Sequence, residues 1–409
     1  MRKVSFGPLV TRKPTFPDFF MGGIIVRPRA RILHGHDWVY GTEVLKTFGS
    51  PEDGDVVSVK DGRDRMLGSA VYNSKSQIVA RRFSRRRQDL DAEFFQRRIQ
   101  RAQEYRDHLG IDPLVRRVLW SESDGLPGVI VDRFGPVATL QTLTMAMDLR
   151  RDLIASAVKE ALGVETVVER NDSSSRKLEG LEVRTGTLLG PEPSPFEITV
   201  AGMQFQLDPI HGQKTGFYLD QSTSYRQVAA WAKGRRVLDC FSNQGAFAIA
   251  CAQAGATEVT AVESGKENLP RIEANALLNN VTLKVVGADV FEFLSSAARR
   301  EEEYDLIILD PPPFTRTRKG IADALRGYRE LHLKAAQLLS KDGLLATFSC
   351  SHHVSAEEFG GSVAEAFGDA RRTARQLQTF GQSPDHPILV GFSESEYLKG
   401  FLYGMTASF

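Results

Sequence analysis

Two short segments near the end of the chain carry the residues best suited to chemistry. In Ile307-Ile308-Leu309-Asp310-Pro311-Pro312-Pro313-Phe314 an apolar run stops at an acid and three prolines, and Thr347-Phe348-Ser349-Cys350-Ser351-His352-His353 comes one helix-length later. Each reads as a buried strand that ends in polar, reactive groups. In an open α/β sheet the carboxyl ends of neighbouring strands share one crevice, so Asp310 and Cys350 are expected to face a common substrate. A carboxylate and a thiol in one pocket suit nucleophilic chemistry on a base. The other two cysteines, Cys240 on a strand and Cys251 on an apolar helix face, read as small buried hydrophobes. No spacing among the three resembles a metal site or a disulfide framework, so neither is expected.

A second set of acids stands at the ends of earlier strands. Asp239-Cys240-Phe241-Ser242-Asn243-Gln244-Gly245-Ala246-Phe247 is a strand-to-helix turn, and its glycine allows close approach of the backbone to a ligand. It is not the G-x-G-x-x-G fingerprint of dinucleotide sites, which disfavours NAD. Glu263 ends the next strand, where an acid can accept hydrogen bonds from both hydroxyls of a ribose. Asp289 comes after the third strand, at a place suited to an adenine amino group. Without phosphate-gripping glycines, serial acids suggest an adenosine that carries a positive sulfonium, and S-adenosylmethionine fits. The cofactor-binding set expected from this turn and its neighbours is Asp239, Phe241, Ser242, Gly245, Phe247, Glu263, Asp289 and Asp310. Taken singly, each acid reads first as a helix N-cap, and it is their serial placement that points to a ligand.

These groups need a scaffold, and from Gly234 onward the sequence supplies one. Apolar runs at 236–241, 258–263, 283–286, 306–309 and 343–348 alternate with helical stretches, which is how parallel sheets are built. Two further strands, about 370–379 and 397–406, are expected as an antiparallel pair at one edge. Upstream, short β-like runs between Gly23 and Phe83, separated by Asp53-Gly54-Asp55 and Asp61-Gly62, argue a small β-barrel-like unit. Residues 90–110 read as a basic amphipathic helix, and the segment after it as a small α+β domain. The fold class is therefore multidomain α/β, divided as 1–22 (an irregular arm), 23–95, 96–206 and 207–409.

The net charge of +1 hides an asymmetry, because residues 1–100 hold 19 Lys and Arg against 11 Asp and Glu. Much of the excess lies at Arg81, Arg82, Arg85, Arg86 and Arg87, and it continues at Arg97, Arg98 and Arg101. Such a cluster can neutralise phosphates with an affinity that falls steeply with salt. Phe83 within it is read as barrel packing ahead of base stacking, and Trp38 and Tyr40 as barrel core. No apolar stretch approaches the roughly 20 residues that span a bilayer, and Met1 to Pro8 lack the apolar core of a signal peptide. A cytoplasmic location with no membrane partner is expected.

These motifs permit a comparison. Residues 207–409 resemble a class I methyltransferase, and nearly the whole chain after about residue 23 resembles the large-subunit ribosomal RNA cytosine-5 methyltransferase I family. The resemblance rests on Gln213-Lys214-Thr215-Gly216-Phe217-Tyr218-Leu219-Asp220-Gln221, on Asp239 to Phe247, on Asp310 to Phe314 and on Phe348 to His353, with Glu169-Arg170-Asn171-Asp172 as a further match. It implies an N-terminal PUA domain as an RNA-binding β-barrel, a middle α+β domain and a Rossmann-like methyltransferase domain. It also implies S-adenosylmethionine as cofactor, ribosomal RNA as partner, Tyr218, Asp220 and Gln221 as the near wall of the cofactor pocket, and a homodimer. Two departures stand out: Asn243-Gln244 where members often have an aromatic and a Thr, and Pro312-Pro313 where other cytosine-5 families carry a second cysteine. Cys350 then acts alone.

The implied chemistry is set by the base. Carbon 5 of cytosine is a weak nucleophile, so a thiolate first adds to carbon 6 and makes carbon 5 reactive toward a methyl group. A thiol needs nearby positive charge to ionise, which His352 or His353 could supply, while Asp310, if kept protonated or bridging, could hold the exocyclic amino group and ring nitrogen 3. The base would have to leave its stack to reach such a pocket. Rival readings are methylation of a guanine or adenine nitrogen, with Phe314 sandwiching the base, and a non-catalytic RNA-binding assembly factor. Neither needs a nucleophilic thiol.

Overall fold

The computed structural model describes residues 22–212 and 215–406, so the expected arm, Gln213 and Lys214 lie outside the described residues. The first unit is a six-stranded sheet over Gly23–Val26, Trp38–Tyr40, Val44–Phe48, Val56–Lys60, Met66–Tyr72 and Ile78–Ser84. Period-2 alternation along these strands sends Ile24, Val26, Val39, Val57, Val59 and Ala70 into one apolar core. Phe83 is buried against Phe94, at 5.3 Å between ring centroids. Trp38 and Tyr40 are only half-buried, contrary to the core role expected for them. The Trp38 ring lies 5.0 Å from Phe392 of the C-terminal region and its indole N–H donates to Glu122 at 2.7 Å, so it fills the seam between units.

The middle unit begins with the helix Ala92–His108, capped by Asp91, whose carboxylate accepts from the Phe94 amide at 2.7 Å. A boundary at residue 95 therefore falls inside this helix. With the helix Arg151–Leu162 it covers a five-stranded sheet made of Val115–Trp120, Val129–Phe134, Val137–Thr142, Thr166–Asn171 and Arg184–Leu189, which pair in chain order. A hairpin, Phe196–Val200 with Met203–Leu207, then buries Ile198, Val200, Met203, Phe205 and Leu207 in the core of the last unit. The expected boundary at residue 206 thus cuts a hairpin that packs with the C-terminal sheet and its helices.

The last unit holds the alternation read from Gly234 onward. Its strands are β1 (Arg236–Cys240), β2 (Glu258–Glu263), β3 (Lys284–Gly287), β4 (Tyr304–Leu309), β5 (Leu339–Ser349), β6 (Thr373–Gly381) and β7 (Lys399–Thr406). Its helices are α1 (Ser222–Ala229), α2 (Ala246–Gln253), α3 (Leu269–Leu278), α4 (Val290–Arg299), α5 (Ile321–Leu338) and α6 (Ala356–Asp369). The order across the sheet is β3-β2-β1-β4-β5-β7-β6, with β1 to β5 parallel and β7 antiparallel to both neighbours. The chain reverses direction across the sheet between β1 and β4, which is where open α/β sheets bind ligands. The central residues of β1, β4 and β5 (Val237-Leu238, Leu306 to Leu309 and Leu344 to Ala346) are apolar on both faces because helices cover both sides of the sheet.

Candidate active site

The parallel register brings the predicted residues to one end of the sheet. Cys240 pairs with both Val262 and Leu309, and Leu309 pairs with Thr347, so Phe241, Glu263, Asp310 and Cys350 leave β1, β2, β4 and β5 at one rim. The segment before the sheet closes the rim from the other side. The short 3-10 turn Leu219–Gln221 places the Gln221 side-chain amide to donate to Asp310 Oδ2 at 3.1 Å. Tyr218 sits among Asp220, Asp310, Cys350 and Glu263, and burial together with those charges raises its phenol above the ordinary tyrosine range. The sequence motifs that were separate in the chain are here one crevice.

The turn after β1 is built around Asp239 and Glu263. Asp239 Oδ2 accepts from Ser242 Oγ at 2.6 Å and from the Ala248 amide at 3.2 Å, which holds the loop against the start of α2. Glu263 accepts from the amides of Asn243, at 2.8 Å, and Gly265, at 2.7 Å. These bonds hold Phe241 and Asn243 at positive φ (63° and 54°), a conformation rarely adopted by side-chain-bearing residues. Gly245, at φ 84°, caps α2, and a Cβ there would lie 3.1 Å from Ile272 Cγ2. Strain of this kind gathers where a backbone is shaped to meet a ligand.

The crevice also fits a cationic adenosine on its own terms. Asp239 is almost fully buried, its Oδ1 has no hydrogen-bond partner among the described residues, and burial, with Asp310 and Glu263 nearby, pushes its carboxyl up to about 7. Gln221 Oε1 is likewise buried without a partner among the described residues. A buried carboxyl whose acidic neighbours raise its affinity for a proton is poised to accept a positive ligand instead. Asp220 completes it, its Oδ2 accepting from Tyr397 OH at 2.7 Å. Asp289 is exposed at the end of β3 and serves as the N-cap of α4, accepting from the Glu292 amide at 3.1 Å. The Phe247 ring packs 4.8 Å from Tyr225 and 5.2 Å from Phe348, so it belongs to the core beneath the turn. Among the described residues no group of His, Cys, Asp or Glu is arranged to hold a metal.

Around Cys350 the loops after β4 and β5 are tied together. Its Sγ lies 3.8 Å from the Pro311 carbonyl oxygen, and the Phe314 amide donates to Ser351 Oγ at 3.1 Å. Tyr328, on α5, hydrogen-bonds both Ser349 Oγ and Ser351 Oγ at 2.9 Å. Cys240 and Cys251 are fully buried, and burial raises both thiols, as expected of structural cysteines. His352 does not fill the role expected for it: desolvation, then the charges of His353 and Lys399, lower its pKa, so it is the neutral imidazole that is favoured. Among the described residues a positive group that faces the thiol is Lys399, which sequence reading missed. Its only signal in the chain is a lysine at the start of the last apolar strand, Tyr397-Leu398-Lys399-Gly400.

The basic cluster divides in two. Arg81 is internal, paired with Glu122 and Glu179 at 3.2 Å each and stacked 4.7 Å from the Trp38 ring centroid, and Arg82 is buried against Asp37 at 2.7 Å. Neither presents the exposed guanidinium expected for an RNA contact. Arg85, Arg86 and Arg87 are exposed and, with Arg97, Arg98 and Arg101 of the first long helix, line a groove of about 540 Å³ between the N-terminal and middle units.

Strand order, the acid-lined turn after β1 and the crevice below β4 and β5 together define an S-adenosylmethionine-dependent methyltransferase. A family described as S-adenosylmethionine-dependent methyltransferase matches residues 175–358, and one described as a PUA-like domain matches residues 24–85. The fold is shared with a Streptococcus mutans protein described as a candidate S-adenosylmethionine-dependent methyltransferase, with a TM-score of 0.80 at 23% identity over 93% of this chain and 99% of that one. A candidate methyltransferase solved with S-adenosylhomocysteine gives a TM-score of 0.81 at the same identity and coverage. The chain is 37% identical over 377 residues to the ribosomal RNA large subunit methyltransferase I of Erwinia tasmaniensis, covering 90% of this chain and 95% of that protein. It is 36% identical over 379 residues to that of Yersinia pseudotuberculosis, with the same coverage. The chain belongs to the ribosomal RNA large subunit methyltransferase I family. No helix among its described residues is long and apolar enough to cross a membrane.

Proposed function

We propose that this protein methylates carbon 5 of a cytosine in large-subunit ribosomal RNA, with Cys350 as the nucleophile. The observation that carries the reading is that Cys350 and Asp310 leave adjacent strands at the same rim, with the thiol 3.8 Å from the carbonyl of the residue after Asp310. Asp239, Glu263, Asp220, Gln221 and Tyr218 would hold S-adenosylmethionine, which supplies an electrophilic methyl carbon when bound. The Cys350 sulfur bonds to carbon 6 of the flipped cytosine, and the electron density passes to carbon 5. Asp310, which accepts from Gln221, would hold the Watson–Crick edge through that step. After carbon 5 is alkylated, loss of its proton to a base breaks the carbon 6–sulfur bond and frees the thiol.

Methylation of an exocyclic nitrogen on guanine or adenine would call for an aromatic sandwich at Phe314. One face of that ring is taken by Tyr328, stacked at 4.5 Å, and the ring packs against Gly327 of α5. The groove lined by Arg85, Arg86, Arg87, Arg97, Arg98 and Arg101 suits the phosphates of the RNA that delivers the base. The test is incubation with S-adenosylmethionine and unmodified ribosomal RNA, then digestion and mass spectrometry, with Cys350→Ala alongside. Expected is 5-methylcytidine with the wild type and none with the variant, a loss of at least about 10³-fold. Equal activity in Cys350→Ala would move the assignment to nitrogen methylation, and RNA binding with no product would leave a binding factor.

A further inference from the structure

Strand β7 begins at Lys399, which in the antiparallel register lies opposite Ser349, the last residue of β5 and the one before Cys350. The lysine is buried, and its ammonium group donates to the carbonyl oxygens of Ser351 and Val354 at 2.8 Å each. The loop that carries the thiol is thus wound around a cation. Burying an ammonium is costly, and two neutral carbonyls only partly offset that cost. No carboxylate is hydrogen-bonded to it among the described residues; the charged groups that face it are Cys350, Glu396, Glu358 and, from the same loop, His352. Among the described residues Lys399, Tyr218 and Tyr328 face the thiol, and the lysine brings a positive charge to it.

We infer that Lys399 is a positioning residue that clamps the loop after β5 and supplies the positive charge that holds Cys350 as a thiolate. The inference rests on the reading of Cys350 as the nucleophile for its catalytic meaning, though not for its electrostatics. Burial lowers the proton affinity of the lysine while a Cys350 thiolate raises it, so each group favours the charged form of the other. The pair is non-local in the chain and is made by β7, the strand that lies next to β5 in the sheet. In this reading, β7, added antiparallel to the sheet, brings the activating charge to the nucleophile.

The test is the pH dependence of iodoacetamide alkylation of Cys350 in the full-length protein, read on its peptide by mass spectrometry. Cys240 and Cys251, being fully buried, stay unmodified and report folding. In the wild type the midpoint should lie below the roughly 8.5 of an ordinary thiol. Lys399→Gln keeps amide donors for the two carbonyls without the charge and should move the midpoint up by about 1 pH unit or more, while Lys399→Arg should leave it near the wild-type value. The methylation rate of Lys399→Gln should recover as pH rises through the new midpoint, a shift that a merely structural role would not give. A wild-type midpoint at or above that of a free thiol, or an unmoved midpoint in folded Lys399→Gln, overturns the inference. Methylation surviving in Cys350→Ala would instead sink the nucleophile reading and leave the alkylation result standing by itself.

Discussion

Asp239 and its neighbours show how single residues prepare the crevice for a cation. Desolvation is the main reason its carboxyl is pushed up to about 7, and the charges of Asp310 and Glu263 add to it against the hydrogen bonds from Ser242 and Ala248. Because its folded value lies above the ordinary 3.8, the ligand-free protein holds an extra proton between about pH 4 and 7, and that contribution to stability is lost as pH rises through this window. A bound sulfonium and ammonium reverse the preference. Affinity for S-adenosylmethionine should therefore rise several-fold from pH 6 to pH 8, with proton release measurable by calorimetry in buffers of different ionisation heat. Asp239→Asn should weaken binding, flatten its pH dependence and raise the melting temperature of the free protein more at pH 8 than at pH 6. A binding constant independent of pH in the wild type would show that the carboxylate does not meet the ligand's charge.

At the scale of elements, the turn between β1 and α2 has its shape imposed by one glycine and two strained residues. Gly245 at φ 84° has no room for a Cβ without displacing Ile272 of α3, so Gly245→Ala should cost about 1–2 kcal/mol from the left-handed conformation alone. Since Phe241 and Asn243 depend on the same turn, affinity for S-adenosylmethionine should fall further than stability does. Chemical denaturation and equilibrium binding on one preparation check this, and unchanged affinity would mean the turn is not part of the cofactor site. Elements were legible in the sequence where burial was simple. The alternation of β1 to β5 with their helices, and the edge pair β6–β7, come from period and connection length. Val115–Trp120 escaped notice because Arg116 and Arg117 interrupt its apolar pattern, and both are buried through ion pairs, with Asp107 at 2.6 Å and Asp132 at 2.7 Å. A paired arginine reads as surface in a sequence and as core in a fold.

For the molecule as a whole, the question is how a long RNA reaches a small crevice. Three exposed arginines of the N-terminal unit and three on the first long helix make one groove across two units. If RNA phosphates occupy it, changing Arg85, Arg86 and Arg87 to Gln should lower the slope of log affinity against log salt by about 2–3 and leave binding of S-adenosylmethionine unchanged. An unaltered slope would move the RNA path elsewhere. The units are also joined by buried polar contacts. Arg117 pairs with Asp132 and donates its amide to Asp385 Oδ2 at 2.8 Å, Asp385 Oδ1 and His386 Nδ1 lie 2.8 Å apart, and Arg106 donates to the Asp385 carbonyl at 2.7 Å. Tyr397, between Trp120 and Asp220, carries these contacts to the crevice wall. On this geometry the groove and the crevice are held in fixed register.

The chain by itself determined the strand-end acids and thiol, the absence of a dinucleotide fingerprint, the parallel sheet and the basic N-terminal bias. Each is a local property: residue type, period or spacing within one or two elements. The tertiary structure decided which of the arginines face solvent, that Phe247 packs in the core, that Asp289 caps a helix, and that Lys399 lies against the loop that carries Cys350. Those outcomes depend on desolvation and on pairing between residues far apart in sequence. Burial sets the strength of every charge in the crevice, and only the folded chain fixes which groups are buried together.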